Sequence, residues 1–380
     1  MTPPARAEAA ALILDAVLSG ASAEATLTRW ARGARYAGSK DRAAVRDLVF
    51  DALRRLRSAA AQGGGRTGRG LVAGLAVQAG DDPDALFTAA RHAPAPLAPE
   101  ERAAMRTPTP AEATDVPDWL HPPLRAALGE TFEPVCALLR ERAPLHLRAN
   151  LLRTDAEGLI AALAAEEIAA RTVPLSSTAV EVTQGARRLR GSSVIERGLA
   201  EPQDAASQAV ADAVPLPAGA RVLDWCAGGG GKTLALAARL GGTIDAWDAD
   251  PGRMRDLPAR AARAGASVRG LGAPPAGEWD VILCDAPCSG SGTWRRAPEA
   301  KWRLSPERVD ELAALQDAIL AAAARRLAPG GRLIYATCSL LRAENEDRPA
   351  PPGTAFAESR RISPLEGGDG FYIAQFFRKG

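Results

Sequence analysis

The sequence predicts an α/β protein whose carboxy-terminal half is an open, doubly wound parallel sheet, preceded by an all-α segment and a small α+β unit. Three observations predict it. After Pro215-Leu216-Pro217, strand-like runs alternate with helix-like ones through most of the remaining chain, the pattern of a parallel sheet covered on both faces. Before about residue 143, apolar residues recur at helical spacing without strand-type alternation. Between these regions, the short runs at 145–150 and 178–183 flank one helical stretch, Asp155 to Ala170. Three domains follow, at 1–143, 144–205 and 206–380.

The first helix is expected from Ala5 to Leu18, and a second from Arg42 to about Arg57 after the start signal Ser39-Lys40-Asp41. The glycine-rich stretch from Gly63 to Gly70 reads as a loop, and shorter helical pieces continue past Trp119 to Arg142. Residues 1–70 carry twelve Lys/Arg against six Asp/Glu; a solvated helical face and a nucleic-acid contact face both account for that excess. In the last domain the order is strand 220–225, helix 232–240, strand 243–248, an Arg/Ala-rich helix, strand 266–270, strand 279–287, helix Ser305 to about Leu327, strand 331–337 and a closing edge strand 371–379.

Composition bounds the function. Hydrophobic residues make up 47% and charged residues 24% of the 380 residues, as in an ordinary globular chain. The net charge of +2 and 4% aromatic content exclude a chain-wide basic, stacking-rich nucleic-acid binder, so any such contact is local. The five cysteines (136, 226, 284, 288, 338) form no Cys-x-x-Cys pair, and there are three histidines. That argues against a disulfide framework or a metal site and for a reducing, cytoplasmic setting. No uninterrupted apolar run approaches the roughly 18 residues of a membrane span. A monomer is expected.

Strand 220–225 runs into Cys226, Ala227 and four glycines, Gly228, Gly229, Gly230 and Gly231, before Lys232-Thr233 opens a helix. Glycines there let the chain turn tightly and let a ligand approach the backbone. A Walker loop would need glycine at Cys226, and no register of the run fits GxGxxG. What remains is a strand, a glycine loop, a helix and an acidic residue, Asp248, at the end of the next strand. A carboxylate in that place accepts both ribose hydroxyls of an adenosine-type ligand. Two further strands end in Asp285-Ala286-Pro287-Cys288-Ser289 and Thr337-Cys338-Ser339. Cys136 and Cys284 read as buried hydrophobes, whereas thiols at strand ends among small polar residues are candidate nucleophiles.

Those motifs, with the glycine loop, Leu312 to Gln316, the segment 201–214 and the terminal 367–375, resemble the RNA cytosine-5 methyltransferases of the ribosomal small-subunit type. Residues 1 to about 140 are similar, more distantly, to that family's NusB-like helical RNA-binding domain. The paired Pro-Cys-Ser and Thr-Cys-Ser motifs carry the resemblance, since DNA cytosine-5 methyltransferases use one cysteine. It implies a class I, Rossmann-like fold, a small RNA-recognition subdomain at 144–205, and S-adenosyl-L-methionine as cofactor. The cofactor would lie against Cys226, Ala227, Gly228, Gly229, Gly230, Gly231, Lys232, Asp248 and Asp285.

Carbon 5 of cytosine is a poor nucleophile, so a thiolate must first add to carbon 6 to turn the ring into an enamine. The resemblance assigns that attack to Cys338 and product release to Cys288. Asp285 could face the cytosine edge or the cofactor, and Lys232 the substrate or the loop. Arg295, Arg296, Lys301, Trp302 and Arg303, directly after the Cys288 loop, are expected to contact RNA; packing of Trp294 and Trp302 beneath the helix near Ser305 is the alternative. The expected RNA is 16S rRNA, with tRNA methylation or non-catalytic ribosome assembly as competing readings. Two departures stand out. Gly228-Gly229 replace the family's Ala-Pro, predicting a more flexible loop, and residues 268–273 lack the family's carboxylate near the adenine.

Overall fold

The structure is a computed structural model and describes residues 1–379. These fall into two compact units, Met1–Arg142 with Trp294–Arg303, and Ala143–Thr293 with Leu304–Gly380.

The first unit is helical. Its main helices are α1 (Pro3–Leu18), α2 (Ala23–Gly33), α3 (Ser39–Arg54), α4 (Leu56–Gln62) and α5 (Gly68–Ala79). Shorter ones follow as α6 (Pro99–Ala103), α7 (Pro110–Ala113), α8 (His121–Leu128) and α9 (Phe132–Leu139). Thr2, Ser22 and Thr67 cap three of the amino termini by accepting backbone N–H bonds. The expected loop at Gly63–Gly70 ends early, because α5 begins at Gly68. Its glycines serve close packing: a Cβ on Gly68 would stand 1.9 Å from the Ala11 carbonyl oxygen, and one on Gly74 1.9 Å from that of Ala59. Ile13, Leu14, Val45, Val49, Leu53, Leu56, Leu71 and Val72 form the core.

The segment Trp294–Arg303, with its helix α15 (Pro298–Arg303), belongs to this helical unit and not to the 206–380 domain in which the sequence places it.

The second unit holds two sheets. A small antiparallel sheet has the order β2-β3-β1-β4, from β1 (Leu145–Ala149), β2 (Ala169–Thr172), β3 (Ala179–Gln184) and β4 (Ala200–Pro202). Helix α10 (Ala156–Ala164) buries Leu159 and Leu163 against it, and the short α11 (Ser193–Glu196) buries Val194. Helix α12 (Ala205–Asp212) leads into the large sheet, of order β10-β11-β9-β8-β5-β6-β7. Its strands are β5 (Val222–Asp224), β6 (Ile244–Ala246), β7 (Val268–Gly270), β8 (Trp279–Asp285), β9 (Leu327–Thr337), β10 (Thr354–Ile362) and β11 (Phe371–Arg378). The five strands from β9 to β7 are parallel, while β11 runs antiparallel between its neighbours β9 and β10. Helices α13 (Gly231–Leu240), α14 (Leu257–Ala264) and α16 (Pro306–Ala324) complete the layers.

The expected closing edge strand is therefore not at the edge. β11 is covered on its outer side by β10, whose exposed central residues hid it from a hydrophobic reading. The chain winds from β5 out to β7 and returns to place β8 on the other side of β5. Ligands of doubly wound sheets bind at such a switch point, beyond the carboxyl ends of the strands.

Candidate active site

Asp224 ends β5 and is buried. Its Oδ2 accepts a 2.7 Å hydrogen bond from Thr233 Oγ1, while Oδ1 has no partner. Burial pushes this carboxyl up to about 7; the Thr233 bond opposes that, the charges of Asp285 and Asp248 add to it, and Lys232 opposes it. In the loop beyond, Gly228 (φ +50°) and Gly230 (φ +83°) take left-handed backbone. A Cβ on Gly230 would stand 2.2 Å from Leu257 Cδ1. Gly228 N–H donates to Asp248 Oδ2 at 2.8 Å, and Asp248 also accepts from Asp250 N–H (2.9 Å) and Arg253 Nη1 (3.1 Å). The carboxylate expected to hold a ribose is thus fixed in place, with one lone pair, on Oδ1, left over. Cys226 borders the loop, and burial pushes its thiol well above the usual range.

Lys232 opens α13 and points into the same region: Nζ donates to Asp285 Oδ2 at 2.8 Å and sits 5.0 Å from the Phe371 ring centroid. Asp285 and Asp248 both act on Asp224 there, three carboxylates against two cations, Lys232 and the Arg253 bound to Asp248. The orphaned Asp224 oxygen and this excess of acid suit a ligand carrying positive charge. S-Adenosyl-L-methionine, with a sulfonium and an ammonium group, fits that description.

The two candidate nucleophiles meet. β8 and β9 pair in parallel with Asp285 opposite Ala336, so the loops leaving them are neighbours, and Cys288 Sγ lies 3.4 Å from Cys338 Sγ. The hydrogen bond with Cys338, then burial, then the charges of Cys338 and Glu344 push the Cys288 thiol well up. Cys288 therefore keeps its proton near neutrality and can donate it toward Cys338.

One residue ties the two loops together. Glu344, fully buried, accepts from Ser289 N–H (2.7 Å), Ser289 Oγ (2.5 Å), Ser339 Oγ (2.5 Å) and Gln316 Nε2 (3.2 Å). Ser289 follows Cys288, and Ser339 follows Cys338. Gln316 also donates to the Pro287 carbonyl (2.9 Å), and Asn345 bridges Thr337 Oγ1 (2.5 Å) and the Ser339 carbonyl (2.9 Å). Sequence reasoning missed Glu344 and Asn345. Their signal was a cluster of polar residues directly after an apolar strand, which reads equally well as an ordinary surface turn.

The segment expected to contact RNA belongs to the helical unit. Lys301 is fully buried, donates to the Arg54 carbonyl (3.3 Å) and stands 4.7 Å from the Trp302 ring centroid; burial pushes its pKa down to about 8. Trp302 Nε1 donates to the Leu53 carbonyl (2.7 Å) and its ring packs on the helical core. Arg295 is buried and donates to the Arg142 carbonyl (3.2 Å), while its own carbonyl accepts from Arg54 Nε (2.9 Å). Exposed Arg303 binds the Gly20 and Ala21 carbonyls (3.1 and 2.8 Å) and pairs with Glu299. Arg296 is exposed. Buried cations consumed by backbone carbonyls are not free to meet phosphate, so this corrects the expectation for Arg295, Lys301 and Trp302. Packing beneath the helix near Ser305 does not describe Trp302 either, since its partners are in the helical unit. Unspent charge lies instead at α2–α3: Arg29, Arg32, Arg35, Lys40 and Arg42 are exposed, with no ion-pair partner among the described residues, beside an exposed Tyr36.

Among the described residues no helix is long and apolar enough to cross a membrane, and no group of His, Cys, Asp and Glu is arranged to hold a metal. The sheet order, the glycine loop and the strand-end carboxylates define a Rossmann-like class I methyltransferase fold. The backbone superimposes on the crystal structure of PH0851 with a TM-score of 0.76 at 23% identity, over 99% of each chain. It also superimposes on NSun6 from Pyrococcus horikoshii with SFG (TM-score 0.61, 19% identity, 69% of this chain and 98% of that one). At those identities the likeness is one of fold.

Sequence narrows the class. Residues 214–350 match the family model for the 16S rRNA methyltransferase RsmB/F, and residues 116–187 match the ferredoxin-like domain of RsmF/B-like methyltransferases. Ribosomal RNA small subunit methyltransferase B of Xylella fastidiosa is 32% identical over 309 residues, 73% of this chain and 72% of the relative. The protein of that name from Xanthomonas campestris pv. campestris is 36% identical over 264 residues, 64% of this chain and 59% of the relative's length. The chain belongs to the RsmB/F methyltransferase family.

Proposed function

We propose that this protein methylates carbon 5 of a cytosine in 16S rRNA, the RNA named in the matching family model, with S-adenosyl-L-methionine as donor. The observation that carries the reading is the 3.4 Å approach of Cys288 and Cys338 at the ends of adjacent parallel strands. Methylation at an exocyclic amine needs no thiol and would leave the pair without a task.

In this reading Cys338 Sγ, as thiolate, adds to cytosine carbon 6 and raises electron density at carbon 5. The bound cofactor supplies an electrophilic methyl group. Asp285, steered by Lys232 at 2.8 Å, faces the edge of the cytosine ring and stabilises its protonated nitrogen. In release the carbon 5 proton passes to water, as the net proton of the methylation, while the Cys338–carbon 6 bond breaks and its electron pair returns to sulfur as the thiolate. The Cys288 thiol, 3.4 Å from Cys338 Sγ, donates a hydrogen bond to that departing sulfur and so serves this half of the reaction. The target base must be unstacked to be reached, so a single-stranded or loop cytosine is the substrate. RNA is gripped by the cations of Arg29, Arg32, Arg35, Lys40 and Arg42, through phosphate contacts.

The test is a pair of substitutions. Cys338→Ala abolishes methyl transfer, and Cys288→Ala accumulates a covalent protein–RNA adduct that survives denaturing electrophoresis. Activity retained in both variants without an adduct refutes the mechanism. Bisulfite sequencing of RNA from cells with and without the protein identifies the substrate; loss of methylation in tRNA alone rejects the ribosomal reading.

A further inference from the structure

A loop of four successive glycines has little stiffness of its own, yet here side chains hold its main-chain groups one by one. Asp248, itself held by Arg253, binds Gly228 N–H. Arg260 Nη1 donates to the Gly229 carbonyl, and Arg148 Nη1 to the Gly231 carbonyl. The arginines stand beside the positions of the missing side chains: a Cβ on Gly228 would lie 3.0 Å from Arg253 Nη2, and one on Gly229 3.1 Å from Arg260 Nη1. The two glycines that replace Ala-Pro and these two guanidinium groups therefore fit each other as a set.

The arginines are anchored in turn. Arg260 binds Glu201 Oε2 through Nε (3.2 Å) and Nη2 (2.8 Å), and Arg263 binds Glu201 Oε1 (2.6 Å). Glu201 is buried on β4; burial raises its pKa, but the hydrogen bonds from Arg260 and Arg263 more than reverse this, so it stays ionised. Arg148 lies on β1 directly opposite Glu201 in the strand register. Burial lowers its pKa to about 10, which leaves it charged at neutral pH. One cross-strand pair of the small sheet thus reaches the glycine loop at two carbonyls, directly through Arg148 and by way of Arg260 from Glu201.

We propose that Arg260 and Arg148 are positioning residues that hold the glycine loop in the shape that binds S-adenosyl-L-methionine, and that the Arg148–Glu201 pair makes cofactor affinity depend on the state of the small sheet. This rests on the cofactor assignment above. The whole protein and its Arg260→Ala, Arg260→Lys and Glu201→Gln variants are titrated calorimetrically with S-adenosylhomocysteine, and amide hydrogen exchange of residues 228–232 is followed in the cofactor-free proteins. Loss of one charge-assisted bond predicts about tenfold weaker binding for Arg260→Ala. Arg260→Lys recovers part of it, because one ammonium cannot fill both the Gly229 and Glu201 positions. Glu201→Gln weakens binding about threefold without touching the loop. Exchange at 228–232 rises in the same order, while affinity for a 20-nucleotide single-stranded RNA stays within twofold, which a general loss of folding would not allow. Binding within twofold of wild type in Arg260→Ala, or unchanged loop exchange, overturns the proposal. If the wild-type protein takes up no S-adenosylhomocysteine, the cofactor assignment fails, and the exchange data still decide whether the arginines hold the loop.

Discussion

Removing the Glu344 carboxylate separates the two cysteine loops at their shared anchor. Four donors converge on it, but they do not suffer equally. The hydroxyls of Ser289 and Ser339 lie 3.2 Å apart and can bond to each other, and Gln316 keeps the Pro287 carbonyl. Ser289 N–H has no substitute. In Glu344→Ala that orphaned donor and the lost charged bonds cost about 2–4 kcal/mol of stability. Because Ser289 and Ser339 adjoin the cysteines, a shift of about 1 Å in either loop lowers kcat by roughly 100-fold. Glu344→Gln keeps one acceptor for Ser289 N–H, so its loss is about 1–2 kcal/mol and its kcat falls about tenfold or less. Denaturant unfolding measures the first quantity and single-turnover transfer of labelled methyl to RNA the second. S-Adenosylhomocysteine affinity should stay within twofold, since the clamp touches none of the glycine loop. A folded Glu344→Ala protein with kcat within threefold of wild type would refute the reasoning.

Two further outcomes follow from charge. Burial pushes Asp224 up to about 7, so it is protonated in mild acid, and a cationic ligand beside it favours the carboxylate. Cofactor binding should therefore release up to one proton near pH 6.5 and weaken as pH falls from 8 to 6. Calorimetry in buffers of different ionisation heat detects this, and Asp224→Asn removes it. The folding linkage has the opposite sense: the raised value favours the folded state below the unfolded pKa near 4, and that contribution is lost as pH rises through 7. Asp224→Asn should thus gain stability relative to wild type at pH 8 and not at pH 4. On the helical unit, each phosphate contact contributes about 0.7 to the salt slope of single-strand binding. Arg32→Glu with Arg35→Glu should lower that slope by about 1.4, measured by fluorescence anisotropy between 50 and 200 mM salt; an unchanged slope would remove these arginines from the interface.

Much of the catalytic unit was legible because its signals are local. Period and punctuation give the strand–helix alternation, and motifs at strand ends bring Cys288, Cys338, Asp285 and Lys232 to one crevice once the strands are parallel. What was not legible depends on partners far apart in sequence. Arg260 is one arginine of an Arg/Ala-rich helix until Glu201, 59 residues earlier, is placed against it. β10 escaped because an edge strand with an exposed central run lacks alternation. The basic, aromatic segment at 294–303 misled for a related reason: composition reports that cations and indoles are present, and only the fold shows that Lys301 and Trp302 are bound by the carbonyls of Arg54 and Leu53.

That segment bears on how the protein can be dissected. Six residues after Cys288, at Trp294, the chain enters the helical unit for ten residues, returning at Leu304. A truncated protein beginning at Ala143 would leave Lys301 and Trp302 without the helix carbonyls and core that hold them, as a raw patch hanging from the Cys288 loop. The amino-terminal helices are therefore not a detachable appendage that modular shuffling could exchange at one linker, and any graft of the second unit onto another module must carry both crossings of the chain.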